Sequence, residues 1–292
     1  MRRLSFSNGG VFLARLLVAL LFLLPLLWMI STALYPAGVP LPTSIQLWPD
    51  QPTLANFSRV AELIPIGRYT LNSLVVAVLG VGLTLLTGSW AGLGMARLPQ
   101  AGQRRWVVIS LAVLMVPGIA LWSTRFFIYE QLGWIDSLLA LIAPAWMGTS
   151  PFYVLMFYRA FRRIPAAMYD AARLDGTGVL QLWWHVALPI ARPTLVGVGV
   201  LAFLFYWGDF ISPLLYISNP DFFTLPVALQ LFQQLSRSEW ALLMAAATWA
   251  TFVPLMLFIL VQPYFARVSD PGKRQKKRAG ADRVATSHGT GR

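Results

Sequence analysis

The chain of 292 residues is 57% hydrophobic and only 12% charged, where a soluble globular domain carries about 25% charged residues, so it reads as a membrane protein. A net charge of +12 asks for an anionic partner, nucleic acid or membrane surface, without choosing between them. With no cysteine and only His185 and His288, disulfides, thiolate metal sites and a thiol nucleophile are excluded, and no metal site is assigned.

In chain order, six stretches between charged residues reach the roughly 20 apolar residues that one helical crossing needs. The first runs from Leu16 to Leu34. The second lies between Arg68 and Arg97, the third between Arg105 and Arg125, and the fourth between Asp136 and Arg159. The fifth continues from Arg192 past Asp209 to Tyr216, and the sixth spans Glu239 to Arg267. They are too long and too uniformly apolar for transmembrane strands, so their backbone groups must be satisfied within helices. The predicted fold is all-α and polytopic, with six transmembrane helices. Met1-Arg2-Arg3 ahead of the first run and Ser31-Thr32-Ala33 behind it also look like a cleavable signal peptide, but the apolar run is longer than such a segment carries.

Arg2 and Arg3, then Arg97, Arg104 and Arg105, then Arg159, Arg162, Arg163, Arg173 and Arg192, and finally the tail from Arg267 onward all fall on one side of these crossings. The other side receives only Arg59, Arg68, Arg125 and Arg237. By the positive-inside rule, both termini are cytoplasmic. The tail run Lys273-Arg274-Gln275-Lys276-Lys277-Arg278 reads better as a solvated, topology-fixing segment touching anionic lipid than as a nucleic-acid patch. Its Gly, Ala, Ser and Thr neighbours predict disorder beyond Pro271. The predicted layout is a cytoplasmic N-terminus at 1–11, a first transmembrane helix at 12–34, an external loop at 35–68, a five-helix core at 69–266 and a basic tail at 267–292.

The first outer loop carries Pro36, Pro40, Pro42, Pro49, Pro52 and Pro65 and is expected to be ordered but irregular. The next outer segment, Phe126 to Asp136, places Trp134 as an interfacial anchor. The third holds Leu225-Pro226-Val227-Ala228-Leu229-Gln230-Leu231-Phe232, a short surface helix. Such segments suit either simple connectors or an extracytoplasmic partner.

The inner loop between Arg159 and Pro193 reads as helix, break, helix. Pro165 fits a helix start, Asp170-Ala171-Ala172 continue it, and Asp175-Gly176 supplies a sharp turn. Thr177-Gly178 offers an N-cap for a helix from Val179 to Val186, which Leu188-Pro189 ends. Val179, Leu182, Trp183 and Val186 recur at helical spacing and form an apolar face that the loop itself does not cover. Such a face suits a partner's groove or the inner leaflet equally well.

Asp170-Ala171-Ala172-Arg173-Leu174-Asp175-Gly176-Thr177-Gly178, followed by Leu188-Pro189 and Pro193, resembles the EAA motif of binding-protein-dependent ABC importer permeases. Asp170 stands where that motif usually has Glu, and Thr177 where it has Ala. Further elements resemble the carbohydrate branch, in particular its maltose-type subunits without extra N-terminal helices. These are Leu54-Ala55-Asn56-Phe57, Asn72-Ser73-Leu74, Met115-Val116-Pro117-Gly118, Gly133-Trp134-Ile135-Asp136-Ser137 and Trp207-Gly208-Asp209-Phe210.

The resemblance implies a type I ABC importer permease fold in the bacterial inner membrane. It implies a second homologous permease, two copies of a cytoplasmic ATPase and an external solute-binding protein as partners. The solute would be a sugar, oligosaccharide, polyol or glycerol-phosphate. The loop at 162–193 would dock on the ATPase through Asp170, Ala171, Ala172, Arg173, Asp175, Gly176, Val179, Leu182, Trp183, Leu188 and Pro189. ATP and Mg would be bound by that partner, because this chain has no Gly-x-x-x-x-Gly-Lys-Ser/Thr loop and no cofactor of its own. Asn72, Pro117, Phe205, Trp207 and Asp209 are candidates for the solute path. Asp209, an acid within a membrane stretch, also fits a structural pair, or a coupling-ion site in a secondary transporter. A membrane enzyme would need a clustered nucleophile, base or metal site, and no catalytic residues are assigned.

Overall fold

The computed structural model describes residues 8–36, 48–235 and 239–268. The basic stretch from position 269 onward, Arg237 and the Met1-Arg2-Arg3 start lie outside those residues. The described elements are all helical: α1 (Asn8–Ala33), α2 (Ala55–Leu63), α3 (Ile66–Arg97), α4 (Gln100–Leu114), α5 (Trp122–Gln131), α6 (Leu138–Ile142), α7 (Pro151–Arg162) and α8 (Ala166–Leu174), then α9 (Val179–Ile190), α10 (Arg192–Gly208), α11 (Ile211–Tyr216), α12 (Leu225–Leu235) and α13 (Trp240–Val268). Among the described residues four spans are long and apolar enough to cross a membrane, and two further helix pairs, each bent by more than 40° at a short break, make six if each pair is one span.

Three of the expected crossings are interrupted. The third stops at Leu114, passes Pro117 and resumes through a 3-10 turn at Gly118–Leu121 into α5. Proline has no N–H to give to the ladder, and its ring crowds the preceding turn. The fourth is α6, a 3-10 turn at Ala143–Met147 and α7, parted by Gly148 and Thr149 at φ 71 and 61. Ser150 then caps α7 by accepting from the Phe152 N–H at 3.3 Å, with Pro151 in the first turn. The fifth ends at Gly208, and Asp209 opens the separate helix α11 by accepting from the Ser212 N–H at 3.1 Å. The first outer loop is less irregular than expected, for α2 forms within it.

The chain divides into two compact units. The described residues of the first unit come from Met1–Ala77, Trp122–Leu141 and Tyr206–Val253. Polar side chains tie its loops together. The Asn56 amide, 1% exposed, donates to the carbonyls of Ala33 and Tyr35 at 2.8 and 2.7 Å. Ser31, Thr32 and Ala33 are buried beside it, so the segment resembling a cleavage site is packed into the fold. Asn72 donates to the carbonyls of Asp221 and Phe223, Ser73 accepts from the Leu225 N–H at 2.8 Å, and Trp249 donates to Thr70 at 3.0 Å.

Asp136, at φ 57, donates its N–H to the Tyr216 carbonyl, while its carboxylate accepts from the N–H groups of Ser218 and Asn219. Asp136→Ala removes the acceptor for both amides. Charged hydrogen bonds contribute about 1.5–3 kcal/mol each when shielded and less when exposed, so the loss is expected to be on the order of 1–2 kcal/mol. Hydrogen exchange checks it: the Ser218 and Asn219 amides should exchange faster while those of α13 stay unchanged.

The described residues of the second unit come from Val78–Leu121, Ile142–Phe205 and Pro254–Arg292. Its core is built around Leu93, Phe157, Phe161, Ile164, Tyr169, Trp183, Ala187 and Val198. One face of α3 presents Thr84, Thr87, Gly88 and Gly92 to the segment around α7. Thr84 and Thr149 share a hydrogen bond between their hydroxyls, and Thr87 donates to the Ala145 carbonyl at 2.7 Å. Small residues let two backbones approach without hydrocarbon between them, which drives helix association in lipid.

Candidate functional site

The loop joining α7 to α10 is a two-helix hairpin with a hydrogen-bonded joint. Alanine-rich α8 ends at Asp175, and Gly176 takes φ 77, a conformation that glycine reaches without a Cβ clash. The Gly176 N–H donates to the Arg173 carbonyl at 3.0 Å and the Thr177 N–H to the Ala172 carbonyl at 3.1 Å. That crossed pair is a Schellman cap, which satisfies carbonyls the helix end would leave bare. The Thr177 hydroxyl also donates back to Ala172, so within the expected Thr177-Gly178 cap it closes α8 and leaves the start of α9 to its neighbour. Gly178 stands at the N-cap of α9, its N–H held by the Gln181 side chain at 3.1 Å.

Helix α9 does not end at Leu188-Pro189. It continues to Ile190 through a π-helical segment at Leu182–Ala187 and then meets α10 at 85°. A proline inside a helix removes one N–H and presses on the carbonyl four residues back, here that of His185. The wider π turn accommodates Pro189.

The hairpin is anchored to α3. Trp183 donates its indole N–H to the Ser89 hydroxyl at 3.1 Å and meets the Trp90 ring edge-on at 5.7 Å. The Arg97 guanidinium lies over the Tyr169 ring at 4.3 Å. Burial pushes the Tyr169 pKa up, with the Arg97 charge opposing, and the neutral hydroxyl donates to the Phe161 carbonyl at 3.4 Å.

The anchoring divides the hairpin's apolar side chains between its interior and its surface. Leu182 and Trp183 are each 6% exposed, buried in the chain's own core with Ala172. The expected face is therefore split: Leu182 and Trp183 pack inward while Val179 points out and Val186 is half-buried. The surface turned outward comprises Leu174 at 90% exposure, Val179 at 82%, Trp184 at 60% and Leu180 at 59%, with Asp170, Ala171, Arg173, Asp175, Gly176 and Pro189 also exposed and Leu188 half-buried. Helical spacing alone does not single out Leu174, Leu180 and Trp184, because it reveals a face without saying which way it points.

The model of the family described as "Binding-protein-dependent transport system inner membrane component" matches residues 84–275. The chain belongs to this family. The permease is 30% identical over 259 residues to the sulfoquinovosyl glycerol transport system permease protein SmoH of Agrobacterium fabrum, covering 88% of this chain and 90% of that protein. It is 28% identical to the diacetylchitobiose uptake system permease protein NgcG of Streptomyces coelicolor, over 84% of this chain and 82% of that one. A solved chain of a bacterial ABC transporter importing the polysaccharide alginate shares its fold, with a TM-score of 0.74 at 20% identity over 90% of this chain and all of that one. The permease is thus an integral membrane transport component and not an enzyme.

In this permease the residues resembling family signatures sit at helix breaks and loop ties: Asn56, Asn72, Ser73, Asp136, Pro117 and Asp209. Among the candidates for the solute path, Asn72 is engaged with backbone carbonyls, and Trp207, 7% exposed, donates to the Ala250 carbonyl at 3.2 Å. Asp209, half-buried, caps α11. These three lie in the first unit, whereas Pro117 and Phe205, both exposed, lie in the second. Among the described residues no three His, Asp or Glu side chains gather as metal ligands would.

Proposed function

We propose that this permease is one of two homologous membrane subunits of an ATP-driven carbohydrate importer in the bacterial inner membrane, with both termini cytoplasmic. Its 69–266 core would work with two ATPase copies and an external solute-binding protein, and the hairpin within 162–193 would carry the ATPase's motion into the membrane. The observation that carries this reading is the hairpin itself. An exposed apolar and charged tip stands on a capped joint and is locked to a long membrane helix by Trp183, as a lever requires. Leu174, Val179, Leu180 and Trp184 supply the apolar contact, and Asp170, Arg173 and Asp175 the polar rim. ATP and Mg would be held by the ATPase.

Carbohydrate as the solute class is supported by the names of the relatives, which include trehalose/maltose and trehalose permeases, and by a neighbouring structure solved with an alginate pentasaccharide-bound periplasmic protein. The ion-coupled alternative rests on Asp209, and that carboxylate does the work of a helix cap. The test is uptake of a labelled panel of mono- and oligosaccharides, polyols and glycerol phosphates in cells with and without this chain. Loss of ATP-dependent uptake of one such solute is expected. Uptake of all of them unchanged, with loss of an amino acid or oxoanion instead, overturns the solute class. Uptake that persists without the ATPase overturns the mechanism.

A further inference from the structure

We propose that the groove between α4 and α7 binds one anionic phospholipid, its phosphate held by Arg104, Arg159 and Arg162 and an acyl chain laid along the apolar wall. The two helices pack against each other and enclose a groove of about 660 Å³. Its lining is sorted by chemistry along the helix axes. On α4 the residues facing it run from Arg104 through Val107 and Leu111 to Leu114, and on α7 from Phe152 and Leu155 to Arg159 and Arg162. Arginine begins one stripe and ends the other, which places all three guanidinium groups at one end and hydrocarbon at the other.

At 1.5 Å per residue the stripe from Arg104 to Leu114 is about 15 Å long, half of the roughly 30 Å hydrocarbon thickness of a bilayer. The groove is therefore one leaflet deep. Among the described residues no carboxylate lines it, and the two ion pairs among them, Arg59 with Glu239 and Arg68 with Asp221, lie elsewhere.

The basic end is also held in place. Arg162 donates to the Tyr158 hydroxyl at 3.2 Å, and that hydroxyl donates to Gln103 at 3.0 Å. The Gln103 amide in turn donates to the carbonyls of Ala96 and Leu98 at 3.2 and 2.8 Å. A phosphodiester supplies the matching charge, for guanidinium forks pair with phosphate oxygens, and basic pockets between membrane helices suit anionic headgroups. A purely apolar helix of a neighbouring subunit in the same groove would leave three arginines unmatched.

The site requires only that α4 and α7 lie in a bilayer and does not depend on the identity of the solute. The assembled transporter in nanodiscs of phosphatidylglycerol and phosphatidylcholine, followed by native mass spectrometry, tests it. The complex should retain phosphatidylglycerol in preference, and Arg104→Ala with Arg159→Ala should lower that retention on the order of tenfold. Arg105→Ala with Arg163→Ala, on the same end but outside the groove, should not. A photoreactive benzoyl-phenylalanine replacing Leu111 should give a phospholipid adduct. Equal retention of both lipids, equal loss in the two double variants, or a Leu111 adduct to the second permease each overturns the proposal.

Discussion

Gly92→Ala is expected to destabilise the permease strongly, while Gly94→Ala, two residues along the same helix, is expected to be neutral or stabilising. A Cβ at position 92 would stand 2.6 Å from the Phe157 Cβ, 2.8 Å from the Tyr158 nitrogen and 3.0 Å from the Val154 carbonyl oxygen. Two of those three atoms are backbone of α7 and cannot rotate away. Relief requires α3 and α7 to part, and parting them loosens the packing of Phe157 and Phe161, both at most 1% exposed. Overpacking a tight core costs about 1–3 kcal/mol and occasionally more, and with rigid backbone as the obstacle the upper end is expected. Position 94 has open space around its built Cβ, and Ala exceeds Gly in helix propensity by about 1 kcal/mol. Thermal unfolding of the two variants in detergent separates the effects. A Gly92→Ala protein that unfolds with the wild type would mean that the helices do not approach as described.

The same helix shows what was and was not legible in the residues. Long apolar runs between charged residues mark α1, α3 and α13 directly, because a span in lipid must satisfy its own backbone and needs only length and hydrocarbon. The interruptions at Pro117, at Gly148-Thr149 and at Asp209 escape that signal, since a helix that breaks within hydrocarbon changes its dihedral angles without changing its hydropathy. Thr149 at φ 61 and Asp136 at φ 57 are not glycines and give no warning. Ser73 and the Leu225 amide meet across 152 positions, a pairing that no local pattern contains. The spacing of Gly88 and Gly92 is that of a close helix contact and was the one available signal for the α3 and α7 approach. For the hairpin, Asp175-Gly176 was readable as a turn because glycine is what a left-handed cap requires. The inward face of α9 was not, because Leu182 and Trp183 satisfy the same periodicity whether they cover their own core or a partner.

That ambiguity yields the sharpest test of the lever. Trp184→Ala and Leu180→Asp are expected to leave the permease folded, since both side chains are more than half exposed, yet to weaken ATPase association and solute-stimulated ATP hydrolysis. Truncating a central aromatic at a protein interface costs about 2 kcal/mol or more, roughly thirtyfold in affinity. Trp183→Ala should do the opposite. It deletes the indole hydrogen bond to Ser89, the ring contact with Trp90 and most of a buried side chain, for which about 3–5 kcal/mol is typical, and the permease itself should lose thermal stability before any partner is added. Co-purification of the ATPase and unfolding of the isolated permease, measured on the same three variants, distinguish the two roles. If Trp183→Ala lost the ATPase at unchanged stability while Trp184→Ala and Leu180→Asp kept it, the outward face would not be the docking surface. The side chains pointing into the core would then have to turn out when the partner binds.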